Sequence, residues 1–467
     1  MNMKMQLMDD TICAICTPIG PGSVAVIRIS GSNSYEIVKK IFVAKNEKDF
    51  ANLEPRKTYL GDIKFDGRFI DEVICIFFSS PHSLTGEDVV EIHTHGGRVV
   101  PNLVIKVLVK LGARIAGPGE YSYRSYQNGK IDLLKAESVA TLIASQTEIA
   151  ANFSTKNING EISKKFNEIK DLAINLLSEI EARVDFPEDE VPEIDKKRII
   201  SLLDNLNSNC KNILETYSKG RLFVDGLRVL ILGAPNTGKS TLLNSILNEE
   251  KAIVSSTPGT TRDILDADIV YNGIRIVFSD TAGIRDSSDS IEVEGIKRAK
   301  DKVQFSDVVI ILVDQAYNGD VDHIFDFVPR GKRLIVINKT DVFDKRVKEW
   351  EDHREGESPS MPSGDHFIAA KEDKGVKELL NIICLRFGGD KDADFSEGVL
   401  TTERQVELLN AGIENLINGK KCFVDEKPME IVSLEIRSFI DSIADITGEV
   451  SNEDIYDELF SKFCIGK

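Results

Sequence analysis

The chain has 467 residues, 42% hydrophobic and 29% charged, with a formal net charge of −18. That length holds about three domains of roughly 150 residues, and the composition is that of a soluble globular protein. The acidic balance excludes nucleic-acid binding through the overall field, so any such role needs a local basic patch or a partner. No apolar run approaches the roughly 20 residues of a membrane span, and Met1 to Asp10 lacks the apolar core of a secretory signal. Seven scattered cysteines, an odd number without framework spacing, suit a reducing compartment, so a cytoplasmic location is expected.

Residues 1–127 are expected to form a mixed α and β domain. Val24 to Ile29 and Val73 to Phe78 are β-rich runs bounded by Gly, Pro and Ser. Val99 to Leu111 has the pattern of a helix. Cys13 and Cys16 form a C-x-x-C on the opening strand; no second ligand pair follows, which favours a packing role over a metal. Glu91, His93 and His95 share one face of a strand at period two and could ligate a metal.

From residue 128 to 218 the pattern turns helical. Ile158, Ile162, Phe166, Ile169, Leu172, Leu176, Ile180 and Val184 recur at spacings of three and four, predicting one face of a long helix. Phe186-Pro-Glu-Asp-Glu190 breaks it, and periodicity resumes from Ile199 to about Tyr217. Such stripes require partner helices. Residues 219–387 change texture again. Leu227 to Gly233, Ile274 to Ser279, Val308 to Asp314 and Leu334 to Asn338 are short, near-continuous apolar runs, the signature of strands buried on both faces of a parallel sheet. The polar stretch Asp344 to Asp365 is expected to be a mobile loop. Residues 388–467 open with a linker and return to helical pattern from about Thr402 to Phe463. These helices are expected to pack on those of 128–218, with the 219–387 domain inserted between.

The inserted domain carries Gly233-Ala-Pro-Asn-Thr-Gly238-Lys239-Ser240, which fits G-x-x-x-x-G-K-[ST] after a strand and before the helical run Thr241 to Leu247. The loop containing Asn236, Thr237 and Gly238 can wrap phosphates, and the helix N-terminus offers free N–H groups. Lys239 supplies charge to the β and γ oxygens, and Ser240 ligates Mg²⁺. Gly259-Thr-Thr261-Arg262 can supply a second Mg²⁺ hydroxyl, assigned to Thr261. Asp280, Thr281, Ala282 and Gly283 form a D-x-x-G at a strand end. Asn338, Lys339 and Asp341 belong to an N-K-x-D, whose carboxylate reads the guanine N1–H and exocyclic amine. Four motifs in order predict a Ras-like P-loop GTPase domain that binds GTP. Ala369-Ala-Lys371 stands where such domains usually carry Ser-Ala-Lys. Ile284 occupies the position where a glutamine commonly orients water. Arg285, Glu292 and Glu294 are therefore candidates for that task.

Across its whole length the sequence resembles the tRNA-modification GTPase family of MnmE (TrmE) type. The resemblance rests on Val26-Ile-Arg-Ile-Ser-Gly31, Thr85-Gly-Glu-Asp-Val-Val-Glu-Ile92, His95-Gly-Gly97 and Pro118-Gly-Glu120. It extends through Asn128-Gly-Lys-Ile-Asp-Leu133, Asp185-Phe-Pro187, Thr447-Gly-Glu449 and the terminal Phe463-Cys-Ile-Gly-Lys467. It implies a multidomain α/β architecture: an N-terminal α+β domain that binds tetrahydrofolate and dimerises, a helical domain, and the inserted GTPase. It implies a homodimer joined by the FAD-dependent flavoprotein MnmG (GidA) in a heterotetramer. Together they would (carboxymethyl)aminomethylate C5 of the wobble uridine of tRNA, using a 5-formyl or 5,10-methylene tetrahydrofolate. Folate contacts fall on Arg28, Glu91, Lys130 and Lys467, a carboxylate suiting the pterin N–H edge and cations the glutamate tail. The resemblance also implies a K⁺-dependent GTPase, with Asn236, Ser255, Thr257 and Thr260 as K⁺ ligands. Ser255 joins the GTP-binding set, and Glu292 becomes the residue that orients water through a bridging water. Cys464 belongs to the tail, with a packing role and a chemical one both open. The competing expectation, which the GTPase motifs alone do not separate, is a regulatory or ribosome-assembly GTPase.

Overall fold

The structure is a computed structural model. It describes residues 10–45, 54–185, 195–234, 236–249, 267–279, 300–313, 326–342, 365–387, 398–449, 459–460, 463 and 465–466. The chain divides into two compact units. The first holds residues 1–140, 158–203 and 408–467; the second holds 141–157 and 204–407.

The first unit is built on a seven-stranded sheet. Its strands are β1 (Ile12–Ile15), β2 (Val24–Ser30), β3 (Phe42–Ala44), β4 (Thr58–Phe65), β5 (Arg68–Phe78), β6 (Val89–His95) and β7 (Arg114–Ile115). They lie in the order β3-β4-β5-β6-β2-β1-β7, antiparallel throughout except for the β1–β7 pair. Period-two alternation separates the two faces. One packs Ile27, Ile29, Val73, Cys75, Val90 and Ile92 against Ile37, Val38, Val104 and Leu108 of α1 (Ser34–Lys39) and α2 (Val99–Lys110). The other presents the half-buried Arg28, Glu91 and His93. Arg28 and Glu91 are register partners across β2 and β6.

The helical part starts with α3 (Glu120–Gln127), α4 (Leu133–Ala144) and α5 (Glu148–Ile158). The long helix expected from Ile158 is interrupted. Ile158 ends α5, Gly160 turns the chain at φ +91, and α6 runs Glu161–Asp185. The buried stripe of α6 is Ile162, Phe166, Ile169, Ala173, Leu176 and Ile180, whereas Leu172 is exposed. Ala173 takes the place expected for Leu172 without breaking the helical period. After it, α7 runs Lys196–Val224, seven residues beyond the expected Tyr217. The expected break at Phe186 to Glu190 and most of the polar stretch at 344–365 lie outside the described residues.

The second unit has a six-stranded sheet of β8 (Leu227–Leu232), β9 (Ala267–Tyr271), β10 (Ile274–Ser279), β11 (Val308–Val313), β12 (Arg333–Ile337) and β13 (Asp365–Phe367). The order is β13-β12-β11-β8-β10-β9, parallel except for the β9–β10 hairpin. All six residues of β11 are buried, because both faces are covered. Val229, Ile231, Ile310 and Leu312 pack with Leu242 and Ile246 of α8 (Lys239–Glu249) and Leu379 and Ile383 of α9 (Val376–Phe387). On the reverse face Leu230, Leu232, Val309 and Ile311 form a separate cluster with Val303 and Val328.

The chain continues through α10 (Glu403–Val424) and α11 (Met429–Thr447). Val432, Ile436, Phe439 and Ile443 form the buried stripe of α11, and this helix packs on α6. Lys170–Glu449 and Arg437–Glu181 ion pairs flank that packing. No described helix is long and apolar enough to cross a membrane.

Candidate functional site

The second unit gathers its G-x-x-x-x-G-K-[ST] and N-K-x-D motifs at one edge of the sheet. In parallel α/β sheets the loops after the strand C-termini line the ligand crevice. Here β8 leads into Gly233 and β12 into Asn338. A Cβ on Gly233 would stand 2.3 Å from the Leu312 carbonyl oxygen, so only glycine lets this loop pass the end of β11. Gly238, at φ +97, would set a Cβ 2.3 Å from Asn338 Nδ2. Asn236 is exposed and left-handed at φ 64; Thr237 is buried, and its hydroxyl donates to Ala234 O at 2.9 Å. The Lys239 ammonium donates to Gly233 O at 2.9 Å and Ala234 O at 2.8 Å, so it lies over the loop. Ser240 and Thr241 are exposed in the first turn of α8, where helix N–H groups lack intrahelical acceptors.

Asn338 is 2% exposed and joins three loops. Its Nδ2 donates to Thr237 O at 2.9 Å, its Oδ1 accepts from Ala370 N at 3.1 Å, and its backbone N donates to Val313 O at 2.8 Å. Asn338, expected from the sequence among the GTP-binding residues, braces the phosphate loop against the 369–371 turn. Lys339 is held at φ 65, and Asp341 lies exposed beside it. Ser255, Thr257, Thr260, Thr261, Asp280, Thr281, Ala282, Gly283 and Glu292 lie outside the described residues, as do Cys464 and Lys467.

The open face of the first sheet holds a second cluster. Arg28 Nε and Nη2 both reach Glu91 Oε1, at 2.9 and 2.7 Å. The guanidinium carbon stands 5.6 Å from the ring centroid of Tyr121, a cation–π contact, and the Tyr121 hydroxyl donates to Arg28 O at 2.6 Å. Burial works against the Arg28 charge, but Cys16 and Glu91 outweigh it and hold the pKa above its ordinary value. Burial raises the Cys16 thiol. Cys13 faces the opposite, helix-covered side, where burial pushes its thiol to about 12, so the two cysteines do not converge. His95 is engaged by Asp71, with Nδ1 2.7 Å from Oδ1, and His93 Nε2 stands 3.7 Å from Glu91 Oε2. Among the described residues no group of three or more His, Cys, Asp or Glu is arranged to hold a metal.

Lys130 is placed elsewhere. Its Nζ donates to Pro81 O at 2.8 Å, and it lines a groove with Tyr126, Lys135 and Gly448 to which neither Arg28 nor Glu91 contributes. The tail returns toward the sheet. Phe460 and Phe463 pack at a tilt of 51° with ring centroids 5.1 Å apart, Ile465 bridges to Pro118, and a Cβ on Gly466 would meet Ile15 O at 2.6 Å and Cys16 Cα at 3.1 Å. Tyr121 was not singled out from the sequence, since a lone aromatic after Pro118-Gly-Glu120 carries no periodic signal. Nor was Arg124, 3% exposed, which binds Asp10, Glu87 and Glu120.

Two family models cover nearly all of this chain: "GTP-binding protein TrmE N-terminus" matches residues 11–130 and "MnmE helical domain" matches residues 133–464. The chain belongs to the MnmE family of tRNA modification GTPases. The MnmE of Caldicellulosiruptor saccharolyticus is 38% identical over 460 residues, covering 98% of this chain and 99% of that relative. The MnmE of Acetivibrio thermocellus is 36% identical over 464 residues, covering 98% and 99%. That of Natranaerobius thermophilus is 34% identical over 465 residues, covering 99% and 100%. These MnmE matches span the helical segments and both sheets, so the family assignment does not rest on the GTPase motifs alone.

Proposed function

We propose that this MnmE-family protein is a K⁺-stimulated GTPase, acting as a homodimer with an FAD-dependent flavoprotein of MnmG type. Together they modify C5 of the tRNA wobble uridine with a one-carbon unit from tetrahydrofolate. The observation that carries the GTPase half is the Asn338 brace, which ties the phosphate loop to the base-reading turn. Full-length likeness to MnmE relatives favours this reading over an assembly GTPase.

In this reading Asn236 to Thr241 embrace the GTP phosphates, Lys239 leaving its loop carbonyls for the β and γ oxygens. The narrow passages at Gly233 and Gly238, which a Cβ would fill, suit a backbone cradle of this kind. Ser240 and Thr261 are the proposed Mg²⁺ ligands, and Asn236, Ser255, Thr257 and Thr260 those of K⁺. When bound, the two cations supply positive charge to the phosphate oxygens. Ser255 and Asp280 to Gly283 complete the nucleotide contacts, Asn338, Lys339 and Asp341 serve the guanine end, and Glu292 orients the attacking water. Domains at 1–127, 128–218, 219–387 and 388–467 divide the work.

On the first sheet Arg28 and Glu91, backed by Tyr121, form the proposed folate site, with Lys130 and Lys467 on the glutamate side. Glu91 Oε2 lies on the same face as Arg28 and can accept from the pterin N–H edge. When bound, the folate supplies the one-carbon unit. The packing of Gly466 on Cys16 supports a tail that reaches this sheet. Titrating 5-formyl-tetrahydrofolate into the full chain and into the chain lacking Lys467 tests the reading. Weaker folate binding with unchanged GTP affinity is expected from the deletion; equal folate affinities would remove Lys467 from the site.

A further inference from the structure

The groove beside Lys130 contains a second lysine that the proposed folate site leaves unused. The groove has a volume of about 540 Å³ and is lined by Tyr126, Gln127, Lys130, Asp132, Lys135 and Thr447–Glu449, among others. Its carboxylates are already engaged. Asp132 Oδ1 caps the backbone N of Lys135 at 2.8 Å, and both oxygens of Glu449 accept from Lys170. The two lining cations are less committed. Lys130 Nζ donates to one carbonyl, and Lys135 Nζ stands 3.8 Å from Asp132 Oδ2. With Lys170 cancelling Glu449, one positive charge remains in the groove.

The walls are fixed. The Tyr126 hydroxyl donates to Gly448 O. A Cβ on Gly448 would approach Leu133 Cβ to 2.7 Å and Tyr126 to about 3 Å, so the corner closes only around glycine. Gly160 leaves room on the other side, where a Cβ would meet Lys135 Nζ at 3.4 Å. Helix α3 connects this groove with the Arg28 cluster: Tyr121 lies under Arg28 and Tyr126 lines the groove, five residues or about 7.5 Å along the axis.

We propose that the groove binds the oligo-γ-glutamyl extension of a tetrahydrofolate, with Lys130 taking the first carboxylate and Lys135 a later one. The inference rests on the folate reading above. An oligo-γ-glutamate carries one carboxylate per residue, so a second cation beyond the first discriminates among chain lengths. Lysine suits a flexible, exposed polyanion of this sort, since it presents a point charge on a mobile stem.

The test measures the affinity of the full chain for monoglutamyl and triglutamyl 5-formyl-tetrahydrofolate. Wild type is expected to favour the triglutamate by about fivefold, the scale of one charge-assisted contact at a partly exposed site. Lys135→Gln is expected to abolish the preference while leaving monoglutamate affinity within twofold, and Lys135→Arg to retain it. Equal affinity of wild type for the two ligands, or an unchanged preference in Lys135→Gln, overturns the proposal. A Lys135→Gln variant that loses affinity for tRNA while keeping its glutamate preference would give the groove to nucleic acid instead. Failure of wild type to bind the monoglutamate at all would count against the folate site itself, a result separable from the others.

Discussion

Replacing Asn338 by alanine should uncouple the phosphate loop from the 369–371 turn. The side chain is 2% exposed and makes two hydrogen bonds, to Thr237 O and from Ala370 N. Alanine offers neither, and the closely packed loops leave Thr237 O and Ala370 N–H without the partners they had. At about 1–1.5 kcal/mol for each bond the loss is about 2–3 kcal/mol. If both loops must be in place before nucleotide binds, that appears as roughly 30- to 150-fold weaker binding. GTP and GDP should weaken together, since the brace touches no γ-phosphate. Competition with a fluorescent guanine nucleotide at saturating Mg²⁺ measures this directly. Gly238→Ala gives an internal control, because its Cβ would strike Asn338 Nδ2 at 2.3 Å. Combined with Asn338→Ala, it should cost less than the sum of the two single changes. Affinities of Asn338→Ala within twofold of wild type would refute the brace.

Asp341→Asn should lower GTP affinity and create affinity for xanthosine triphosphate, read by the same competition assay; unchanged GTP selectivity would discard the base assignment. Steady-state GTPase rates should be much higher in KCl than in NaCl, and Glu292→Ala should lower kcat by about 10² with GTP affinity preserved. An unimpaired Glu292→Ala points to Arg285 or Glu294 instead. The first unit should also lose stability in acid. Burial opposes the charges of Asp10 and Glu120, but hydrogen bonds from Arg114 and Arg124 prevail and set both pKa values below the ordinary 3.8 and 4.5. Carboxylates depressed in this way stabilise the fold above those values, and the contribution disappears as pH falls through the folded pKa. Urea midpoints should therefore hold from pH 7 to about 5 and drop below about 4.5. Arg124→Met, which removes one of the two guanidinium partners of Asp10 and Glu120 and leaves Arg114 as the other, should cost about 2 kcal/mol at neutral pH.

The parallel sheet was legible because strands covered on both faces need apolar residues at every position, as Val308–Val313 illustrate. The phosphate loop was legible because its glycines answer to backbone crowding at fixed spacing. The break at Gly160 was not, since Ile158 and Ile162 keep the helical spacing across a turn and the apolar period alone does not register it. Ala173 escaped notice because a small residue carries little hydrophobic signal, yet it is fully buried in the α6 stripe. The Arg28–Glu91 pair came from a resemblance, and its physical basis is a cross-strand register set only when β2 meets β6. The Asp10–Glu87–Glu120–Arg124 network draws on three distant points of the chain, and only Glu120 and Arg124, one helical turn apart, are linked by spacing.

The seating of Gly466 on Ile15 and Cys16 has a consequence for synthesis. The first strand leaves the ribosome early and can pair with its neighbours while translation continues. The contact from Gly466 forms only after nearly all later residues have been made, and closing so long a loop is intrinsically slow. Nascent or prematurely terminated chains would therefore carry an assembled sheet without its carboxy-terminal strap.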